Sequence, residues 1–207
     1  MTTKRFVIEH LDNELGPWSE LEYLTIANEC HQAGDQFCLS SIPTSLVLPH
    51  SLTSAPGFSA DHRSVEIMHA NDKMQICLLD PSAPKELTPT DGDLFNIFLF
   101  GGILGDDPPL DRTSELRKKG YQGRNLGSVQ MTTDTAVRVT QYVIQKRMKL
   151  DEIDYNDQPE IKISENESIT LPFRYIRDAD GNSIMPDGML ELIEKDSEKG
   201  FEELIQS

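Results

Sequence analysis

Apolar positions along the first 150 residues alternate between short continuous runs and helical stripes. Phe6-Val7-Ile8 predicts a short strand. Gly16-Pro17 opens a helix, because Pro is tolerated in the first turn and Glu20 and Glu22 suit the positive end of the helix dipole. Leu21, Leu24, Ala27 and Cys30 give that helix an apolar stripe, and Gly34 is a natural stop. Residues 37–42 predict a second strand. Residues 43–72, rich in Ser, Pro, Gly and His, read as loop with one helix. Ile76-Cys77-Leu78-Leu79 predicts a third strand that ends at Asp80-Pro81, and residues 94–100 a fourth. Runs this apolar fit strands buried on both faces of a parallel sheet. Residues 112–119 predict a helix stopped by Gly120, and residues 126–129 a further strand. Thr132 or Thr133 caps the next helix, with Asp134 in its first turn and Val137, Ile144 and Met148 on its apolar face. Lys146, Arg147 and Lys149 fall in its last turn, where cations oppose the dipole. The pattern predicts an α/β fold of βαβ type, a parallel sheet covered by helices.

Length and charge refine that picture. The chain has 207 residues, enough for one good-sized domain with its own core. Its net charge is −16, so it is poorly suited to track a phosphate backbone, a task carried by Lys and Arg. A cationic partner suits it better. Residues 1–150 hold 19 acidic and 14 basic side chains; residues 151–207 hold 16 and 5. That shift divides the chain into a main domain, 1–150, and an acidic C-terminal extension, 151–207, packed on it. The extension reads as a hairpin (Leu171, Phe173, Tyr175 and Ile176, a turn at Asp180-Gly181-Asn182, then Ile184 and Met185) followed by short amphipathic helices at 189–193 and 201–205. The start of the chain lacks a signal-peptide pattern, and no apolar run approaches membrane-spanning length. Cys30, Cys38 and Cys77 lack paired spacing and read as reduced thiols of a cytoplasmic protein. The five histidines show no metal-ligand spacing and read as surface or loop residues, so no metal is expected.

Ligands of an open α/β sheet bind beyond the carboxyl ends of its strands. Three loops leave predicted strand ends here: one at Leu78 to Pro81, one at Phe100 to Pro109, one at Leu126 to Asp134. The middle loop, Gly101-Gly102-Ile103-Leu104-Gly105-Asp106-Asp107-Pro108-Pro109, is neither GxGxxG nor a Walker loop, and its aspartates would repel a phosphate. It is either a glycine turn that redirects the chain or a close approach to a neutral or cationic ligand. Trp18, the single tryptophan, either packs in the core or stacks on a planar cation.

These residues, with Ile8-Glu9-His10, Leu79-Asp80-Pro81, Asp111-Arg112-Thr113, Gln130-Met131-Thr132-Thr133-Asp134-Thr135-Ala136, Pro172-Phe173-Arg174-Tyr175 and Pro186-Asp187-Gly188-Met189-Leu190, resemble the fungal SPOUT-type protein arginine methyltransferases. The resemblance runs nearly end to end and is faintest across residues 43–75. It implies a trefoil-knotted α/β fold, and S-adenosylmethionine held bent by three loops. Residue by residue, those loops map onto Leu79, Asp80 and Pro81; onto Phe100, Gly101, Gly102 and Gly105; and onto Leu126, Gln130, Met131, Thr132 and Thr133. It implies as substrate an arginine of a small-subunit ribosomal protein.

The residues agree with that chemistry. A sulfonium donor needs no phosphate-binding Lys. A guanidinium acceptor stays cationic in water and needs a carboxylate to orient it. Glu9, at the end of the first strand, and Asp106, after the glycines, are the candidate catalytic carboxylates. Trp18, Asp107 and Asp134 are candidate substrate-binding residues, with Asp111 a further acidic candidate that pairs locally with Arg112. Two other functions fit the same fold: an RNA methyltransferase, which calls for a basic stripe at the cofactor loops, and a non-catalytic interaction module. A long tail covering the interface used by dimeric relatives favours a monomer.

Overall fold

The computed structural model describes residues 2–10, 12–101, 111, 113–163 and 168–206. The chain opens with β1 (Arg5–Glu9), α1 (Pro17–Gln32), β2 (Gln36–Ser40), α2 (His50–Thr53), β3 (Phe58–Ala60) and α3 (Val65–Met68). It continues through β4 (Ile76–Leu79), α4 (Asp91–Leu94), β5 (Ile97–Phe100), α5 (Ser114–Lys118), β6 (Gln122–Arg124) and α6 (Thr133–Ile144). The remainder forms β7 (Tyr155–Asp157), β8 (Glu160–Lys162), β9 (Ser168–Thr170), β10 (Arg174–Ile176) and α7 (Met189–Gln206).

Six strands make one parallel sheet in the order β3-β2-β1-β5-β4-β6. Both faces are buried, as the continuous apolar runs predict. Alternate residues feed opposite cores. Phe6, Ile8, Phe37, Leu39, Leu79, Phe98 and Phe100 pack with α1 and α6. Val7, Cys38, Ile76, Leu78, Ile97 and Leu99 pack with Val65 of α3 and Leu116 of α5. The register sets Ile8 beside Phe100, Phe100 beside Leu79, and Leu79 beside Arg124. The carboxyl ends of four strands therefore finish level with one another, and the chain order turns back between them. That is the geometry in which an α/β sheet opens a crevice.

Several expectations are corrected. Residues 126–129 are not a strand; the edge strand is β6, whose sequence Gln-Gly-Arg carries no apolar signal. A Cβ at Gly123 would lie 3.0 Å from the Ala83 Cβ, so the close approach there calls for glycine. Residues 43–72 hold β3 and two one-turn helices instead of a loop with one helix. The fourth strand begins at Ile97, because Asp91–Leu94 is helical. Helix α6 stops at Ile144, so Lys146, Arg147 and Lys149 lie beyond it; Arg147 takes φ +59° and bonds Asp93 at 2.6 and 2.9 Å. The two short helices expected near the end are one, α7. The hairpin about the 178–182 turn does form, with Arg177 bridging Ser183 antiparallel and the Ile184 amide donating to the Ile176 carbonyl at 2.9 Å, while β10 also ladders with β7.

Helix α1 follows its stop signals, with Pro17 at its start and Gly34 at φ +77° after its end. Its buried face differs from the expected stripe. Ser19, Glu22, Tyr23, Ile26, Ala27 and Cys30 are inside, while Leu21 faces a separate cluster. A carboxylate, Glu22, is thus placed in the core.

The tail closes the fold. Ile153 and Ile176 join the main core. Leu171, Phe173, Tyr175, Met189 and Ile193 build a third cluster over Trp18 and Leu21 of α1. Among the described residues, no helix is long and apolar enough to cross a membrane.

Candidate active site

Glu9 ends β1, and its side chain points to the α3 face of the sheet. Its carboxylate is 3% exposed and accepts from Ser40 Oγ (2.5 Å), Ser41 Oγ (2.7 Å) and the Val65 amide (3.0 Å). Ser41 reaches it from a left-handed backbone conformation, φ +57°. Glu9 therefore ties the segment after β2 and the start of α3 to the end of the central strand. The next residue, His10, points the other way and is buried with Nδ1 3.3 Å from the Tyr23 hydroxyl. His10 and His69 are both buried, not surface residues.

The loop after β4 is held just as firmly. Leu79 and Asp80 are buried and Pro81 is exposed. The Asp80 carboxylate accepts from Arg117 Nε (2.6 Å), Arg117 Nη2 (2.8 Å), Thr113 Oγ1 (2.9 Å) and the Ser82 amide (3.0 Å). Arg117 also donates to Asp111, at 3.0 and 3.1 Å. Asp111 thus pairs with Arg117 of α5, whereas Arg112, its expected partner, lies outside the described residues. Burial pushes the Asp80 pKa up, but Arg117, Ser82 and Thr113 outweigh it and hold the group below its ordinary value. This ion pair fastens α5, the helix that re-enters after the glycine loop, to the end of β4. Phe100 and Gly101 are buried at the end of β5. Gly102, Gly105, Asp106 and Asp107 lie outside the described residues.

Asp80→Asn is expected to cost about 2 kcal/mol, since a hydrogen-bonded charge pair is lost while Arg117 keeps access to water. The folded pKa is depressed. The carboxylate's contribution is therefore present at neutral pH and lost as pH falls below the ordinary carboxylate range. Urea unfolding at pH 7 and pH 3 checks this: the gap between wild type and variant should narrow in acid.

The third loop lies beside a cavity of about 550 Å³. Glu86, Leu87, Thr88, Pro89, Leu126, Gly127 and Ser128 form one wall, and Lys149, Leu150, Asp151, Ile153, Tyr155 and Arg174 the other. Gly127 at φ +95° lets the loop turn there. Arg174 lies 4.4 Å over the Tyr155 ring and pairs with Asp157, and its amide donates to the Gln130 carbonyl at 2.8 Å. The buried Tyr155 hydroxyl finds no hydrogen-bond partner among the described residues.

Beyond the cavity, Met131, Thr132 and Thr133 are buried where the loop enters α6. Thr132 occupies the N-cap position, but its hydroxyl donates to Thr135 Oγ1 at 2.8 Å instead of capping the helix. The Thr133 amide donates to Glu22 Oε1 at 3.1 Å. Asp134 is fully buried and accepts from Arg138 Nη1 at 3.2 Å. Arg138 also grips Glu29 at 2.7, 3.0 and 3.1 Å. Burial pushes the Glu29 carboxyl up against the pull of Arg138.

The structure thus brings Trp18, Thr133 and Asp134 together around Glu22, on the α1 side of the sheet. It sets Leu126 in the cavity wall and Glu9 on the opposite face of the sheet. Sequence reasoning missed Glu22 and Arg117. Arg174 stands inside the Pro-Phe-Arg-Tyr run and was in that sense marked, but only folding carries it to the loop.

Comparison with known proteins fits this arrangement. A family model described as "Protein arginine N-methyltransferase SFM1-like" matches residues 5–200. Protein arginine N-methyltransferase SFM1 of Saccharomyces cerevisiae is 39% identical over 217 residues, spanning 97% of this chain and 99% of that protein. The crystal structure of yeast SFM1 complexed with SAM superposes with TM-score 0.86 at 38% identity, covering 95% of this chain and 92% of that one. Yeast SFM1 complexed with SAH gives TM-score 0.83 at 38% identity, with 91% and 94% covered. Dual-specific Trm10 from Thermococcus kodakaraensis, at 15% identity and TM-score 0.54 over 72% of this chain and 96% of that one, shares the fold. The fold is the SPOUT α/β arrangement, and the chain belongs to the SFM1-like family of protein arginine N-methyltransferases.

Proposed function

We propose that this protein transfers a methyl group from S-adenosylmethionine to an arginine side chain of a basic protein, a small-subunit ribosomal protein, in the cytoplasm and as a monomer. The observation that carries the reading is the cavity beside the 126–133 loop, in a chain that aligns along nearly its whole length with an arginine methyltransferase crystallised with SAM.

The lining fits the cofactor. Leu87, Leu126 and Ile153 offer apolar surface to a planar base. Lys149 and Arg174 suit a carboxylate, and Glu86 and Asp151 suit an ammonium and a sulfonium. Mixed charge with no phosphate-binding loop matches a zwitterionic, phosphate-free molecule. When bound, S-adenosylmethionine supplies an electrophilic methyl group.

The residues of this chain do the rest. The bound arginine is cationic, with a pKa above ~12, so its nitrogen becomes nucleophilic only as a proton is drawn away. A carboxylate hydrogen-bonded to the guanidinium fixes its plane, aims one nitrogen, and offsets the charge while the proton leaves. Asp106 is the carboxylate assigned here, with Trp18 and Asp107 toward the substrate; Glu9, closed by Ser40, Ser41 and the Val65 amide, and Asp134, buried against Arg138, hold the fold around the site. Positioning of this kind is worth up to roughly 7–11 kcal/mol in well-oriented systems. Residues 151–207 hold 16 acidic and 5 basic side chains and steer a basic protein toward the site. The tail over α1 covers a helix face that a second copy would otherwise meet.

Incubation with methyl-labelled S-adenosylmethionine and separated ribosomal proteins and RNAs tests this. Label on an arginine of one small-subunit protein is expected. Label on RNA would instead establish an RNA methyltransferase. Calorimetry without S-adenosylmethionine binding would leave a non-catalytic module.

A further inference from the structure

The cluster behind the 130–133 loop has more negative than positive groups. Glu22 and Glu29 come from α1 and Asp134 from α6, and Arg138 is the cation that pairs with two of them. Glu22 is 1% exposed and Asp134 fully buried. Glu22 Oε1 accepts from the Thr133 amide, and Asp134 Oδ2 from Arg138. The other oxygens, Glu22 Oε2 and Asp134 Oδ1, are buried and find no donor among the described residues. The Tyr175 hydroxyl of β10 is likewise buried and unpaired among them. Two ionised carboxylates in this setting would each face the other's charge with half their acceptors unmet, a costly arrangement. A proton on Glu22 removes the repulsion and supplies a donor to the cluster.

We propose that Glu22 keeps a proton at neutral pH and acts as a clasp that seats the Gln130–Thr133 loop on α1. Glu22 is a positioning residue: it acts through the Thr133 amide. The inference rests on that loop belonging to the cofactor site. Burial first, and the Asp134 charge second, push Glu22 up to about 8, while hydrogen bonds from Trp18 and Thr133 pull the other way. The groups facing it are Trp18 and Glu29 on α1, Thr133 and Arg138 on α6, and Tyr175 on β10, whose own hydroxyl is pushed up by burial and then by Asp134 and Glu22.

A carboxyl raised in the folded state stabilises the fold when pH is below its unfolded value and loses that contribution as pH climbs through its folded value. The clasp therefore weakens in mild alkali. Glu22→Gln mimics the protonated form and removes the titration.

The full chain, as wild type and E22Q, is tested in two ways between pH 6 and 9.5. In thermal unfolding, the wild-type Tm should fall by about 5 °C more than that of E22Q. In calorimetry with S-adenosylmethionine, wild-type affinity should fall roughly tenfold, the effect of one linked proton over one pH unit, while E22Q stays nearly flat. Parallel pH profiles for the two proteins in thermal unfolding would overturn the clasp. If neither protein binds S-adenosylmethionine at any pH, the site reading fails, and the unfolding arm still decides whether Glu22 holds the proton.

Discussion

A chain ended at Leu150 is expected not to fold cooperatively. The cut removes Ile153 and Ile176 from the main core and all five buried members of the third cluster. Each such side chain contributes about 1.5–3 kcal/mol by burial, and seven of them together, about 10–21 kcal/mol, match or exceed the ~5–15 kcal/mol by which a domain is stable. Trp18 and Leu21 would be uncovered on α1, and Ile153, Tyr155 and Arg174 would be lost from the cavity wall. Circular dichroism and thermal melts check it: a broad or absent transition is expected, and a sharp melt at the wild-type Tm would refute it. Truncation is thus too blunt to test steering by the acidic tail. Neutralising the exposed Asp180, Asp187, Glu191 and Glu194 leaves the packing intact. That variant should slow capture of a basic substrate at low salt and leave turnover unchanged.

Arg138→Ala is expected to cost about 3–5 kcal/mol, the penalty for leaving the buried Asp134 and the part-buried Glu29 without their cation. Arg138 is nearly inaccessible and bridges Asp134, fully buried, to Glu29. The loss should lower the Tm by roughly 10 °C in a chain of this size. Urea unfolding should show a lower midpoint with an unchanged slope, since the folded state stays compact. Removing the charges with the cation, as Glu29→Gln and Asp134→Asn in the Arg138→Ala background, should recover much of the stability. A triple variant no better than the single one would mean that shape, not charge, holds α1 to α6.

The central strands were legible because each is an apolar run bounded by a turn residue, and a strand buried on both faces has no other way to look. Gly34 and Gly120 stop their helices at φ +77° each, a backbone state that most side chains resist. The edge strand β6 was illegible for the opposite reason. Its three residues pair with β4 while offering no apolar side chain to the pattern, and Gly123 is there because Ala83 leaves no room. Helix α6 was placed well at its start and overrun at its end, because Lys146, Arg147 and Lys149 suit a helix terminus that the chain does not extend to reach. The cofactor loops carried their own signature in glycines and prolines after strands. The partners that hold them did not: Arg117 lies 37 residues from Asp80 and Glu22 lies 111 from Thr133.

By itself the order of residues determined the α/β class, the parallel sheet, the loops at its carboxyl edge and the acidic balance that favours a cationic partner. These follow from local periodicity and summed charge, which need no knowledge of what lies across the sheet. Tertiary structure alone decided which carboxylates are committed to holding the fold. It spent Glu9 on two serines and an amide and Asp80 on Arg117, and it buried Glu22 on the Thr133 amide. A carboxylate's role depends on its neighbours and its access to water, and both are set only when distant segments meet.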